Sequence, residues 1–182
     1  MRVVLIGPPA SGKSRIGKKL ARMLGTGFTD TDRLVVTAHG PLPELFASHG
    51  EAHFRALERA AVVTALQADG VVAFGGGAVL DPDTQRDLAA WPVVLLSVHP
   101  DAVATRLGNG KRPTVPDVET WKVVYERRRA LYESLADHTV DTSSVPTEKV
   151  AAEIMEWLGS AAGQKSAATR KSAATQNKEI VP

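Results

Sequence analysis

Val3-Val4-Leu5-Ile6-Gly7-Pro8-Pro9-Ala10-Ser11-Gly12-Lys13-Ser14 is the stretch that decides the fold. Its first four residues are apolar and mostly β-branched, the composition of a buried parallel strand. The rest fits G-x-x-x-x-G-K-[ST], a phosphate-binding P-loop. Gly7 and Gly12 allow backbone angles that a side chain would block, so the loop can turn its amides around an anion. A helix starting near Lys13 points its positive dipole end at the same spot. Lys13 adds a mobile charge for the β- and γ-phosphates, and Ser14 offers a hydroxyl to Mg²⁺, a hard cation that wants oxygen. Ile16, Leu20, Met23 and Leu24 then recur at helical spacing, with Lys18, Lys19 and Arg22 opposite. Strand, glycine loop and helix together predict nucleotide binding without saying what the nucleotide is for.

The chain has 182 residues, 43% of them hydrophobic, which suffices for one domain with a core. It has no cysteine, which excludes a disulfide framework and a thiolate metal site. The first strand starts too early for a signal peptide, and no apolar run is long enough to span a membrane, so a cytoplasmic protein is expected. The net charge is +2, but residues 163–182 carry Lys165, Arg170, Lys171 and Lys178 against Glu179, a net +3, leaving −1 for the other 162. The basic character therefore belongs to the tail, and the body shows no basic stripe of a nucleic-acid binder.

Outward from the P-loop, Phe28-Thr29-Asp30 reads as a second strand leading into Asp30-Thr31-Asp32. Two carboxylates two residues apart point the same way on an extended segment, suiting a Mg²⁺ contact and a substrate contact. Asp30 equally suits a helix N-cap, and the residues leave both readings open. Residues 33–68 read as helical, interrupted at Gly40-Pro41 and Pro43. Leu42, Leu45 and Phe46 form a small apolar face, and Phe54, Leu57, Ala61 and Ala65 a helical stripe. Arg55 and Glu58 beside that stripe have the spacing of a surface ion pair. Val71 to Phe74 reads as a third strand running into Gly75-Gly76-Gly77, which fits either close approach of a ligand or a flexible turn.

Asp81-Pro82 opens a helix to Trp91, residues 92–98 form a fourth strand, and residues 100–107 a short helix. Residues 108–118 lack periodicity and hold Lys111 and Arg112, the composition of a cationic lid or of a solvated loop. Helix resumes from Glu119 to Ala136, with Val123, Val124, Leu131 and Leu135 as its apolar positions and Arg127-Arg128-Arg129 spread around it. His138 to Asp141 is a fifth strand, and residues 146–158 a closing helix. Lys165-Ser-Ala-Ala-Thr repeats at Lys171, so residues 160–182 read as a disordered low-complexity tail: a tag, a site for an anionic partner, or nothing. The alternation predicts an α/β, three-layer α/β/α P-loop fold on a central five-stranded parallel sheet, domain 1–159, with its ligand at the carboxyl ends of the strands.

These separated motifs, taken in order, resemble the shikimate kinases, of the nucleoside-monophosphate-kinase fold. The resemblance rests on the P-loop, Asp30-Thr31-Asp32, Gly50-Glu51-x-x-Phe54-Arg55-x-x-Glu58, Gly75-Gly76-Gly77-Ala78-Val79, Arg112-Pro113 and Arg128-x-x-Leu131-Tyr132. It implies transfer of the γ-phosphoryl group of ATP to the 3-hydroxyl of shikimate, by a monomer. By the same resemblance, Gly7, Pro8, Pro9, Ala10, Ser11, Gly12, Lys13, Ser14 and Arg15 would hold ATP, with Arg106 on the adenine and Arg112 closing onto the phosphoryl group. Ser14 would bind Mg²⁺ directly and Asp30 through water. Asp32 would orient or deprotonate the attacking hydroxyl, Arg55 and Arg128 would grip the carboxylate, and Gly76 and Gly77 would fix the ring. Lys13, Asp32 and Arg112 would be catalytic. Arg15 stands where the family usually has threonine, and Thr114-Val115 replaces two leucines after Arg112-Pro113. An amino analogue of shikimate as acceptor, or a catalytically silent nucleotide-binding regulator, are the other readings.

Overall fold

The computed structural model describes residues 2–106, 117–160 and Gly163. The expected lid as far as residue 116, Arg112 included, and the tail beyond residue 160 apart from Gly163 lie outside the described residues.

Strand β1 (Arg2–Ile6) sits at the middle of a sheet of five parallel strands. Its neighbours are β3 (Gly70–Ala73) and β4 (Val93–Ser97), with β2 (Phe28–Asp30) and β5 (His138–Asp141) at the edges, giving the order β2-β3-β1-β4-β5. Successive side chains of a strand face opposite sides of a sheet. Val3 and Leu5 accordingly pack under α1 (Lys13–Leu24) and α7 (Thr147–Gly159), against Ile16, Leu20 and Ile154. Val4 and Ile6 pack on the other side with Val62, Leu88 and Tyr132, from α3 (Leu42–Ala65), α4 (Pro82–Leu88) and α6 (Val118–Leu135). The apolar run that opens the chain is buried on both faces, which is why it shows no alternation.

Four local expectations change in three dimensions. Asp30 ends β2, but Thr31 and Asp32 are already in α2 (Thr31–His39). The 30–32 segment is therefore not extended throughout; Asp30 caps the helix, its Oδ1 accepting from the Arg33 amide at 3.2 Å. Pro43 does not interrupt a helix but lies in the first turn of α3, where an amide has no intrahelical partner to lose. A break that the pattern did not show falls at Gly50, whose φ of 76° kinks α3 just before Glu51. On α6, Val123 is 52% exposed and does not belong to the inner face. Leu131 and Leu135 do pack against the core, but the main inner stripe is Trp121, Tyr125, Arg128 and Tyr132, whose polar tips hid it from an apolar count. The short helix α5 (Pro100–Ala104) precedes Arg106.

Candidate active site

The P-loop joins β1 to α1, and its shape is set from outside. Gly7 has φ 138°, and a β-carbon there would run into the carbonyl oxygen of Leu96 on β4. The Lys13 ammonium donates to the carbonyls of Gly7 and Pro8, each at 2.8 Å. The next three carbonyls are each held by a side chain from far along the chain. Trp121 Nε1 donates to Pro9 at 2.8 Å, Arg106 Nη1 to Ala10 at 3.1 Å, and the Thr142 hydroxyl lies 3.0 Å from the carbonyl of Ser11. In a trans peptide the C=O and the following N–H point opposite ways, so these struts orient the loop's amides as well. Ala10 has a φ of 66°, unusual for a residue with a β-carbon, and the Arg106 bond to its carbonyl helps to hold that turn. Arg106 also donates to the carbonyls of Thr142, at 2.6 Å, and Ser143, at 3.0 Å.

Beside the loop, Ser14 Oγ donates to Asp30 Oδ2 at 2.5 Å. This pair presents hard oxygens at the start of α1. Among the described residues no group of three or more His, Cys, Asp or Glu could hold a metal by itself. Ser14 and Asp30 could supply the one or two protein oxygens through which a magnesium ion is held alongside water and phosphate.

The other end of the site is built around the glycine run. Thr31, fully buried, accepts a hydrogen bond from the Gly75 amide at 2.8 Å and so ties β3 to the start of α2. A β-carbon on Gly75 would collide with the Asp32 carboxylate and lie 2.8 Å from Glu58 Oε1, and one on Gly77 would collide with the Arg55 guanidinium. Charged side chains of the site lie against Gly75 and Gly77, and Gly76 and Gly77 line the cleft beside them. The carbonyl of Gly76 accepts from Arg128 Nη1 at 3.1 Å and from the Tyr132 hydroxyl at 2.5 Å. Burial, against the Arg128 charge, pushes the Tyr132 phenol up to about 12, so it stays a donor.

The pair of Arg55 and Glu58 is not the surface pair its spacing suggested. Arg55 Nη1 donates to Glu58 Oε2 at 2.6 Å, and the Glu58 side chain is only 5% exposed. Helical spacing cannot tell a solvated face from one turned onto a neighbouring loop; here the kink at Gly50 and the glycine run bring the two together. Burial raises the Glu58 carboxyl above the usual range, although the Arg55 charge opposes it. Burial also works against the Arg55 charge, but Glu58 and Glu51 prevail and its pKa is raised.

One cleft of about 610 Å³ connects the two ends. Of the sequence candidates it brings together Pro9, Ala10, Ser11, Gly12, Lys13, Ser14, Arg15, Asp30, Asp32, Arg55, Gly76, Gly77, Arg106 and Arg128. Gly7 and Pro8 are buried behind it and meet Lys13 through their carbonyls instead. Arg127 and Arg129 are exposed on the far side of α6, the latter paired with Glu133 at 2.8 Å. Trp121 and Thr142 carried no sequence signal, because their contacts span 112 and 131 positions. Thr31 and Tyr132 were visible only as motif letters without a role, and Glu58 only as the partner of a surface ion pair.

A P-loop, hard oxygens beside it, and a pocket with two arginines sharing its cleft define a phosphotransferase that brings a nucleotide to a small anionic acceptor. The family model described as shikimate kinase matches residues 9–159. The shikimate kinase of Salinispora arenicola is 47% identical over 161 residues, covering 85% of this chain and 96% of that protein. That of Streptomyces coelicolor is 46% identical over 153 residues, 81% of this chain and 90% of that protein. Among solved structures, a shikimate kinase from Acinetobacter baumannii in complex with shikimate superposes with a TM-score of 0.82 at 26% identity, over 86% of this chain and 92% of that one. The chain belongs to the shikimate kinase family.

Proposed function

We propose that this protein transfers the γ-phosphoryl group of ATP to the 3-hydroxyl of shikimate, giving shikimate 3-phosphate and ADP, with Mg²⁺ as its metal. The observation that carries this reading is the continuity of the cleft: the P-loop lysine opens onto the same space as Asp32, Arg55 and Arg128. A nucleotide sensor has no use for the second end, which disfavours a silent regulator. An amino analogue of shikimate would use the same arginines, and family membership at this identity favours shikimate itself.

In this reading the loop from Gly7 to Gly12, with Lys13, cradles the triphosphate, and Arg106 braces the loop beside the adenine. Ser14, directly, and Asp30, through water, would hold Mg²⁺, whose charge would offset that of the phosphates. Arg55 and Arg128 bind the acceptor's carboxylate, for which a guanidinium fork is the matching shape. Gly76 and Gly77, which line the cleft, fix the ring. Asp32 accepts the proton of the attacking hydroxyl and aims it at the γ-phosphorus. Arg112 completes charge neutralisation as the phosphoryl group moves. The enzyme acts as a cytoplasmic monomer whose partners are ATP and shikimate. Among the described residues no helix is long and apolar enough to cross a membrane.

The test is a coupled ADP-release assay with shikimate and its amino analogue, on the parent and on Arg55→Ala. Arg55→Ala should raise the KM for shikimate about 10- to 100-fold, the scale of a hydrogen bond to a charged group, and leave that for ATP within about twofold. Better turnover of the analogue removes shikimate as the acceptor. A rise in the ATP KM alone shows that α3 does not bind the acceptor.

A further inference from the structure

The guanidinium of Arg55 is engaged by carboxylates on two edges before any acceptor arrives. Its Nη1 edge is held by Glu58 at 2.6 Å, and its Nε and Nη2 by one oxygen of Glu51, at 3.3 and 3.0 Å. The two carboxylates differ in kind. The Glu58 side chain is 5% exposed and sealed against the glycine run, whereas that of Glu51 is 70% exposed, one residue past the kink at Gly50. The Nε/Nη2 edge is also the pair of parallel donors that suits a carboxylate.

We propose that Glu51 is a displaceable stand-in for the acceptor's carboxylate: it occupies the Nε/Nη2 edge of Arg55 until the acceptor takes its place, and it keeps other anions out. This rests on the reading that Arg55 binds the acceptor. Charge balance supports an exchange rather than an addition. Around this end stand Arg55 and Arg128 against Asp32, Glu58 and Glu51. A fourth carboxylate added to these would face a surplus of negative charge, whereas one that displaces Glu51 leaves the sum unchanged. Exposure makes the exchange easy, because an ion pair open to water is weak and its freed carboxylate is solvated at once. The same occupancy gives selectivity: an anion that reaches Arg55 must outcompete a tethered carboxylate, and sulfate or inorganic phosphate lacks the ring contacts that let shikimate do so.

The experiment is steady-state kinetics on Glu51→Gln at saturating ATP, with shikimate and with its methyl ester, and with inorganic sulfate as the competing anion. Arg55→Ala is run alongside. The expected result for Glu51→Gln is a KM for shikimate lower by roughly two- to fivefold, the worth of an exposed pair. The KM for the uncharged ester should stay within about twofold, and sulfate should become a stronger competitor of shikimate. A glutamate that merely positions Arg55, or starts the helix after Gly50, predicts the opposite sign: a higher KM for shikimate and no gain in sulfate inhibition. An unchanged or raised KM for shikimate in Glu51→Gln overturns the stand-in role whenever Arg55→Ala still raises that KM. If Arg55→Ala leaves it unchanged, the placement of the acceptor on Arg55 itself fails.

Discussion

Gly77→Ala separates the acceptor site from the fold. Gly77 has φ −99° and ψ −14°, a conformation open to any residue, so the backbone accepts alanine. The new β-carbon would overlap Arg55 Nη1 and lie 2.8 Å from its Cζ and 3.1 Å from its Nη2. The tip of a long side chain can swing away where a backbone atom could not, so the strain relaxes by expelling the guanidinium. Stability should fall by about 1–3 kcal/mol, because Glu58, only 5% exposed, loses its charged partner, and the smaller entropy of an alanine chain when unfolded, about 0.4–1 kcal/mol, offsets only part of that. Binding should not be spared. If Arg55 carries the acceptor's carboxylate, displacing it removes hydrogen bonds to a charge worth roughly 1.5–3 kcal/mol, a rise in acceptor KM of about 10- to 100-fold. The ATP KM should stay within about twofold, since the P-loop lies at the other end of the cleft. Coupled ADP-release kinetics and a thermal melt give all three numbers. Arg55→Ala combined with Gly77→Ala should lose little more than Arg55→Ala alone, because both act on one guanidinium. A Gly77→Ala enzyme that melts normally and keeps its acceptor KM refutes the argument, as does a parallel rise in the ATP KM.

Tyr132→Phe removes one of two donors to the Gly76 carbonyl and should cost about 0.5–1.5 kcal/mol in urea unfolding; a larger loss would mean that the ring, not the hydroxyl, had been disturbed. Because the Tyr132 phenol is pushed up to about 12, the pH profiles of the parent and this variant should coincide up to about pH 9, and a new ionisation below that in the parent alone contradicts the assignment. Glu58 gives a pH effect of determined sign. Its folded-state pKa is raised, so the native protein holds this proton more tightly than the unfolded chain does. The stability of the parent relative to Glu58→Gln should therefore rise as pH falls through the folded-state pKa toward the ordinary value of 4.5, and level off below it. Melts of both proteins from pH 7 to pH 4 measure the difference, and a fall in the parent's relative stability over that window overturns the burial argument.

The sequence by itself determined what short-range chemistry fixes. An unbroken apolar run can be satisfied only by burial on both faces, and the glycines of the P-loop have a conformational need visible one residue at a time. These settled the parallel sheet and the P-loop at the end of its central strand, and the motif order pointed to the family. Only the tertiary structure decided the acceptor end. Whether Arg55 and Glu58 face water or the glycine run depends on a kink at Gly50 and on β3 lying beside α2. The braces on the P-loop, Trp121, Arg106 and Thr142, come from elements more than 90 positions away. Spacing along a chain reports which side chains share a face; what that face meets is set by packing, and packing turned a pair with the spacing of a surface ion pair into part of the wall of the cleft.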